Sequence, residues 1–486
     1  MGISLRPPVT VGSPSIAGFA GVLVLVLATS VVPLPTALQV AFGLTGMGVV
    51  VLAWLRLGRS AARMSVRELS WTAAAWCLPL LFARPLFSGD IRSYLAQGVI
   101  AAKGLDVYRL SPLAALGANS PVTQQVSHYW QDTPAPYGPV WIAISRAIAH
   151  IAGENLFVTL FLNRLVELAG VALIAWALPR LARRLGVSPG IAMWLGLLNP
   201  LVLWHVVAGA HNDGLMIGLV LAGMEIALGG SSRPSRLVAA LALLAVAANI
   251  KIVAAAAICC LGAAWARRWG RTAGRGALVM LGVLGASALA FLLISWVTGL
   301  GLGWTSALGS STDVHSWMAP TNQLGFLIAG LGALAGANIT SAAIAVTIRL
   351  GAVLGALACA TVVWKIFRGR VDPFAGLGLV FALMLVTGPV VQPWYLLWAI
   401  LPLAASVRGG RGRLALVVLS TVAAMLLPPG GTGAMALVAG YLGGAALLAL
   451  IWRLSLGGWR GTGLFAMPPE PEAADSPVLE SAYRTG

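Results

Sequence analysis

Apolar runs follow one another along nearly the whole chain, and most are about 16–28 residues long, the length an α-helix needs to cross a bilayer. Fourteen such segments are predicted, at about 16–34, 38–56, 70–87, 156–179, 190–206, 212–229, 235–249, 252–267, 275–298, 340–366, 373–391, 393–407, 411–428 and 433–452. The polar breaks between them carry an orientation. With the first end cytoplasmic, RLGRSAAR, RLARR, RPSR, ARRWGRTAGR, KIFRGR and RGGRGR all fall in alternate loops on one side, which the positive-inside rule makes cytoplasmic. Two further apolar stretches, 138–152 and 321–336, would invert everything downstream if they crossed. Ser145, Arg146 and His150 also interrupt the first. Both are therefore expected to lie as interfacial or re-entrant helices at the outer face.

The pattern predicts an all-α polytopic membrane protein with about 14 transmembrane helices in a single domain over residues 1–454. Its outer side holds two large loops, 88–155 and 299–339. Residues 455–486, with Pro468, Pro469 and four acids, read as a disordered cytoplasmic tail. The run near 16–34 lacks a small-residue cleavage site and is expected to be retained.

Composition agrees with the pattern and narrows it. A chain that is 59% hydrophobic and 9% charged, with mean hydropathy +0.90, is not a soluble domain. The formal +17 sits mostly in the short basic loops, so no nucleic-acid partner is expected. Cys77, Cys259, Cys260 and Cys359 all lie in apolar runs without metal-ligand spacing.

Candidate chemistry gathers on the outer side. Of the outer acids Asp90, Asp106, Asp132, Glu154, Asp213 and Asp313, only Asp90 and Asp213 stand at span boundaries. A half-desolvated carboxylate there is expected to have a raised pKa and to accept a proton near neutrality. Helix capping is the competing explanation, strongest for Asp213 in GAHNDG. The segment IRSYLAQGVIAAKG after Asp90 is predicted to form an amphipathic surface helix. Lys251, at the outer turn between two spans, either snorkels or holds a lipid phosphate. Asp313 and His315 in STDVHSWMAPTNQ, and Gln392 and Trp394 in VVQPWYLLW, are candidates to meet a sugar or phosphate, although loop structure and an aromatic belt explain them as well. Arg164 and Glu167, three apart inside a span, are expected to form an ion pair. Arg349, without a nearby acid, is expected to meet a carboxylate or an anionic ligand.

LFSGDIRSYLAQG, YGPVW, NPLVLWHVVAGAHNDGLMIGLVLAG and VQPWYLLWA, in this order over most of residues 80–405, resemble the GT-C superfamily of membrane glycosyltransferases. Within it they are most similar to actinobacterial polyprenol-phosphomannose-dependent α-(1→6)-mannosyltransferases of the MptB type. The resemblance implies a GT-C fold with juxtamembrane helices in the first outer loop, and a multi-pass plasma-membrane enzyme whose site faces the extracytoplasmic side. It implies Asp90 as catalytic base and Asp213 as a second acid. Arg92, Lys251 and Tyr94 would serve the donor phosphate, and His211, Asn212, Asp213, Asp313, His315, Gln392 and Trp394 would serve the acceptor or sugars. The implied donor is polyprenyl-phosphate-mannose and the acceptor a lipid-anchored mannan, as in lipomannan assembly. Gly89–Asp90 supplies one acid where relatives have a pair, so no metal and no cofactor are expected. Two alternatives stay open: another polyprenyl-phosphate sugar such as arabinose or glucose, or a lipid-linked sugar transporter or flippase.

Overall fold

The computed structural model describes residues 13–229, 233–270, 272–307, 316–430 and 433–455, which fold into helices with no strand among them. The expected tail at 455–486 lies almost wholly outside the described residues. Each predicted span has a helix at its place, and the protein is an all-α, multi-pass membrane protein. Seven helices among the described residues are long and apolar enough to cross, or eight if Pro189–Leu197 and Val202–Ala208, bent by 59°, count as one span. The bend falls at Asn199-Pro200, where proline cannot continue the hydrogen-bond ladder. Asn199 mends the break by accepting from Leu201 N and donating to Leu195 O and Ser420 Oγ. Pro234–Ile250, Pro373–Thr387 and Pro393–Ala404 are apolar but shorter.

The third predicted span, 70–87, ends early. Its helix runs Val66–Leu80, started by a reciprocal Ser65–Glu68 capping box. Beyond it the carbonyls of Leu81, Ala83 and Arg84 receive hydrogen bonds from the buried Arg164 guanidinium rather than from helical N–H groups. Residues 81–89 therefore form a loop, and Asp90 begins the next helix instead of ending this span.

Three of the basic loops meet: Ser188 Oγ reaches Ala62 O, and Arg408 Nε donates to Leu185 O. The Leu156–Arg184 helix reaches them with Arg184, which bridges to Glu225 at 2.7 Å. Glu167 of the same helix touches Leu215 N, beside the cavity described below. Seventeen residues at 1.5 Å each separate the two contacts by about 26 Å, close to the hydrocarbon thickness.

The Pro139–Ala152 helix packs beside Asp90–Ala102. A Cβ on Gly98 would stand 2.4 Å from the Ser145 carbonyl oxygen, so only glycine permits this approach. Gly138 N donates to Ile250 O at 3.2 Å and Arg146 Nη2 to Thr298 O at 3.0 Å. These contacts tie the helix to the ends of Pro234–Ile250 and Ala273–Thr298. Pro320–Leu334 packs on Thr340–Phe367, and its first turn is pinned by Thr321 Oγ1 to Gly388 O and Asn322 Nδ2 to Pro389 O.

One expectation about an intramembrane charge pair is overturned. Arg164 and Glu167 form no ion pair: each turns to backbone groups of other segments. Arg349 lies on the exposed face of the Thr340–Phe367 helix and has no carboxylate partner among the described residues.

Candidate active site

Asp90 and Asp213 are each the first residue of a helix, Asp90–Ala102 and Asp213–Leu228. Neither side chain caps its helix. Gly89 and Asn212 occupy the N-cap positions without a side-chain cap bond, and Asp90 N donates to Ser88 Oγ. Capping therefore does not account for either acid. Their surroundings then separate them. Asp213 is 1% exposed and fully engaged: Lys251 Nζ donates to its two oxygens at 2.9 and 3.1 Å, and Trp398 Nε1 donates at 2.6 Å. Asp90 is 25% exposed and has one side-chain neighbour of opposite character, His211 Nδ1 at 3.4 Å. That distance is long for a hydrogen bond and leaves the carboxylate able to take another partner.

Both Asp90 and Lys251 line a cavity of about 470 Å³, within the usual range for small-molecule sites. One wall is a stripe on a single helix face: Asp90, Ser93 and Gln97, at spacings of three and four. Gln97 is buried at this wall and its Oε1 has no hydrogen-bond partner. Trp130, Thr133 and Tyr137 face it from the connection to the interfacial helix. Lys251, Ile252 and Val253 form the third side, and Met384 to Trp398 the fourth. The Lys251 ammonium lies over the Tyr395 ring at 4.2 Å and near the Trp398 ring at 5.1 Å, a cationic group on an aromatic floor. His211 stacks on Trp394 at 3.7 Å.

The expected rise in the Asp90 pKa is overturned. Burial pushes its carboxyl up, but the His211 hydrogen bond and charge, the Ser88 hydroxyl and the Lys251 charge outweigh burial and hold it below the ordinary aspartate value. For Lys251, burial pushes the ammonium down while Asp213 and its neighbours more than reverse this, so it stays charged. Among the described residues no three His, Cys, Asp or Glu side chains converge as a metal would require.

Of the residues singled out in the sequence, Asp90, Lys251, Gln392 and Trp394 meet at the cavity wall. His211, Asn212 and Asp213 are buried behind it; His211 stacks on Trp394 and Asp213 holds Lys251. Tyr94 is also behind the wall, edge-on to Tyr137 and Trp141. Arg92 is half-buried and does not line the cavity. Asp313 and His315 lie outside the described residues. Ser93, Trp130, Tyr137, Tyr395 and Trp398 escaped the sequence reading. The step from Asp90 to Ser93 to Gln97 was available as helical spacing. Tyr395 and Trp398 were hidden by an aromatic belt's similar composition.

Residues 9–267 match the family described as α-(1→6)-mannopyranosyltransferase, N-terminal domain, and residues 321–456 match the MptB C-terminal domain. A probable α-(1→6)-mannopyranosyltransferase of Mycolicibacterium smegmatis is 41% identical over 395 residues, covering 74% of this chain and 69% of the relative. An α-(1→6)-mannopyranosyltransferase of Mycobacterium tuberculosis is 36% identical over 412 residues, covering 74% and 70%. α-(1→6)-Mannopyranosyltransferase B of Corynebacterium glutamicum is 33% identical over 414 residues, covering 80% and 69%. No solved structure matches the chain.

Proposed function

Because the chain belongs to the α-(1→6)-mannopyranosyltransferase family of the MptA and MptB type, we propose that it transfers mannose from polyprenyl-phosphate-mannose to a lipid-anchored mannan, with inversion, at the extracytoplasmic face of the plasma membrane. The architecture is then of GT-C type with about fourteen spans, the shorter helices completing the count. The observation that carries the reading is one cavity lined by an accessible carboxylate, Asp90, and a retained ammonium, Lys251, while the second acid is committed to that ammonium.

In the transfer, Asp90 takes the proton from the acceptor's C6 hydroxyl as its oxygen attacks the anomeric carbon of the β-linked donor. The carbon–oxygen bond to phosphate breaks, and its electron pair leaves with the polyprenyl phosphate. Lys251 Nζ faces the charge that develops there. Asp213 and the Tyr395 ring fix the ammonium's position before the substrate arrives. A low Asp90 pKa keeps the base ionised throughout the neutral range. The cost is a weaker base than an ordinary carboxylate. Ile252, Val253, Met384 and Leu385 extend the Lys251 side as apolar surface suited to the first isoprene units.

The orientation is supported by the cavity lying at the end of the bundle away from the basic loops. The test is transfer by purified protein from polyprenyl-phosphate-mannose to a short α-mannoside. Wild type should make the α-(1→6) product, and Asp90→Asn should lose transfer while keeping donor binding. Retained turnover in Asp90→Asn ends the general-base assignment. Lipid movement in liposomes without transfer would make the protein a flippase instead.

A further inference from the structure

Arg164 and Glu167 are fully buried on the Leu156–Arg184 helix, one turn apart, and do not reach the cavity. The Arg164 guanidinium divides its donors between two segments. Nη1 donates to Leu81 O at 3.0 Å and Ala83 O at 2.6 Å, and Nη2 reaches Arg84 O at 3.3 Å. Nε donates to Val207 O at 3.1 Å, and Nη2 also to Ala208 O at 2.6 Å. Glu167 Oε2 accepts from Leu215 N at 2.9 Å, on the far side of His211-Asn212-Asp213. One helix therefore grips the strand leading to Asp90 and both flanks of the segment bearing His211 and Asp213.

A second observation falls on the same two segments. Among the described residues only Phe87 (φ 69°) and Ala210 (φ 52°) hold left-handed backbone without being glycine. Phe87 stands three residues before Asp90, and Ala210 directly before His211. Such conformations persist where the surroundings over-determine them, and they concentrate at functional sites. Phe87 packs on Trp204 and His205, in the Val202–Ala208 helix that leads into Ala210.

We propose that Arg164 and Glu167 are positioning residues, a clasp that sets Asp90 against His211 and Asp213 against Lys251. The proposal rests on the transfer site assigned above. A planar fork of five N–H donors can hold carbonyls on two sides at once, whereas a lysine ammonium donates from a single atom. Arg164→Lys thus keeps the charge and releases at least one segment. Glu167→Gln keeps an acceptor for Leu215 N, and Glu167→Ala removes it.

The test uses the full chain in lipid nanodiscs and reads kcat and donor KM per folded molecule, together with amide hydrogen exchange. Arg164→Lys should lower kcat about 10- to 100-fold with donor KM changed by less than about threefold, the pattern of misplaced reacting groups. Amide exchange should speed up at residues 84–90 and 207–215 and not along the rest of the 156–184 helix. Glu167→Ala should speed exchange at Leu215 and lower kcat, and Glu167→Gln should restore both. Wild-type kcat in Arg164→Lys and Glu167→Ala, or faster exchange spread evenly over the whole helix, overturns the clasp. If wild type transfers no mannose, the functional reading falls, and the exchange pattern still decides the clasp. Should Arg164→Lys fail to fold, the two Glu167 variants decide it.

Discussion

Cutting the Lys251–Asp213 pair on one side at a time should have unequal consequences. Two unit charges 2.9 Å apart attract by about 6 kcal/mol at an effective dielectric near 20. Desolvation offsets much of that, yet removing one partner of a buried pair still costs about 3–5 kcal/mol, because the other charge is left uncompensated. The two survivors differ. In Lys251→Met, Asp213 remains 1% exposed with Trp398 Nε1 as its one hydrogen-bond donor. In Asp213→Asn, the ammonium is 15% exposed toward the cavity and keeps the Tyr395 and Trp398 rings, worth about 0.5–2 kcal/mol. Lys251→Met should therefore fall at the upper end of the range and Asp213→Asn at the lower, a gap of about 1–2 kcal/mol. The double variant should cost less than the sum of the singles by at least about 2 kcal/mol. Unfolding in mixed lipid–detergent micelles measures all three, with donor KM taken in parallel. Additive losses, or a milder Lys251→Met, would refute the account of the pair.

The remaining predictions concern the base, the acceptor wall and the interfacial helix. His211→Gln removes the chief influence lowering the Asp90 pKa and leaves burial, which raises it. The carboxylate then protonates at higher pH, so the acid limb of the kcat/KM profile should move upward; an unmoved limb separates His211 from the base. Gln97→Leu removes the amide of a residue lining the cavity and should raise acceptor KM about 3- to 10-fold, the worth of one hydrogen bond, with donor KM unchanged. Equal effects on both substrates would move Gln97 off the acceptor side. In Gly138→Ala the new methyl meets Asn249 O at 2.1 Å, a backbone atom that cannot swing aside. Thermal unfolding should register about 1–3 kcal/mol of destabilisation and kcat should fall with it, since Lys251 follows two residues later; an unchanged kcat would show that the turn relaxes without disturbing the ammonium.

The sequence carried the bilayer signal and the two boundary acids, because each is a local property of composition and spacing. It did not carry the division of labour between Asp90 and Asp213. That division arises from Lys251, 38 residues beyond Asp213, and from Trp398, 185 beyond it. The early stop of the third span had a local sign in Arg84-Pro85, which cannot continue a helix, but the group that takes up the freed carbonyls, Arg164, lies about eighty residues away. Charge placement in a membrane protein is therefore a poor guide when judged by sequence neighbours. Arg164 and Glu167 had each other within one turn and turned outward, to backbone groups of segments that no helix ladder satisfies. A buried ion in lipid ends where backbone is left unpaired, and backbone is left unpaired where the chain must break its helices to build a site.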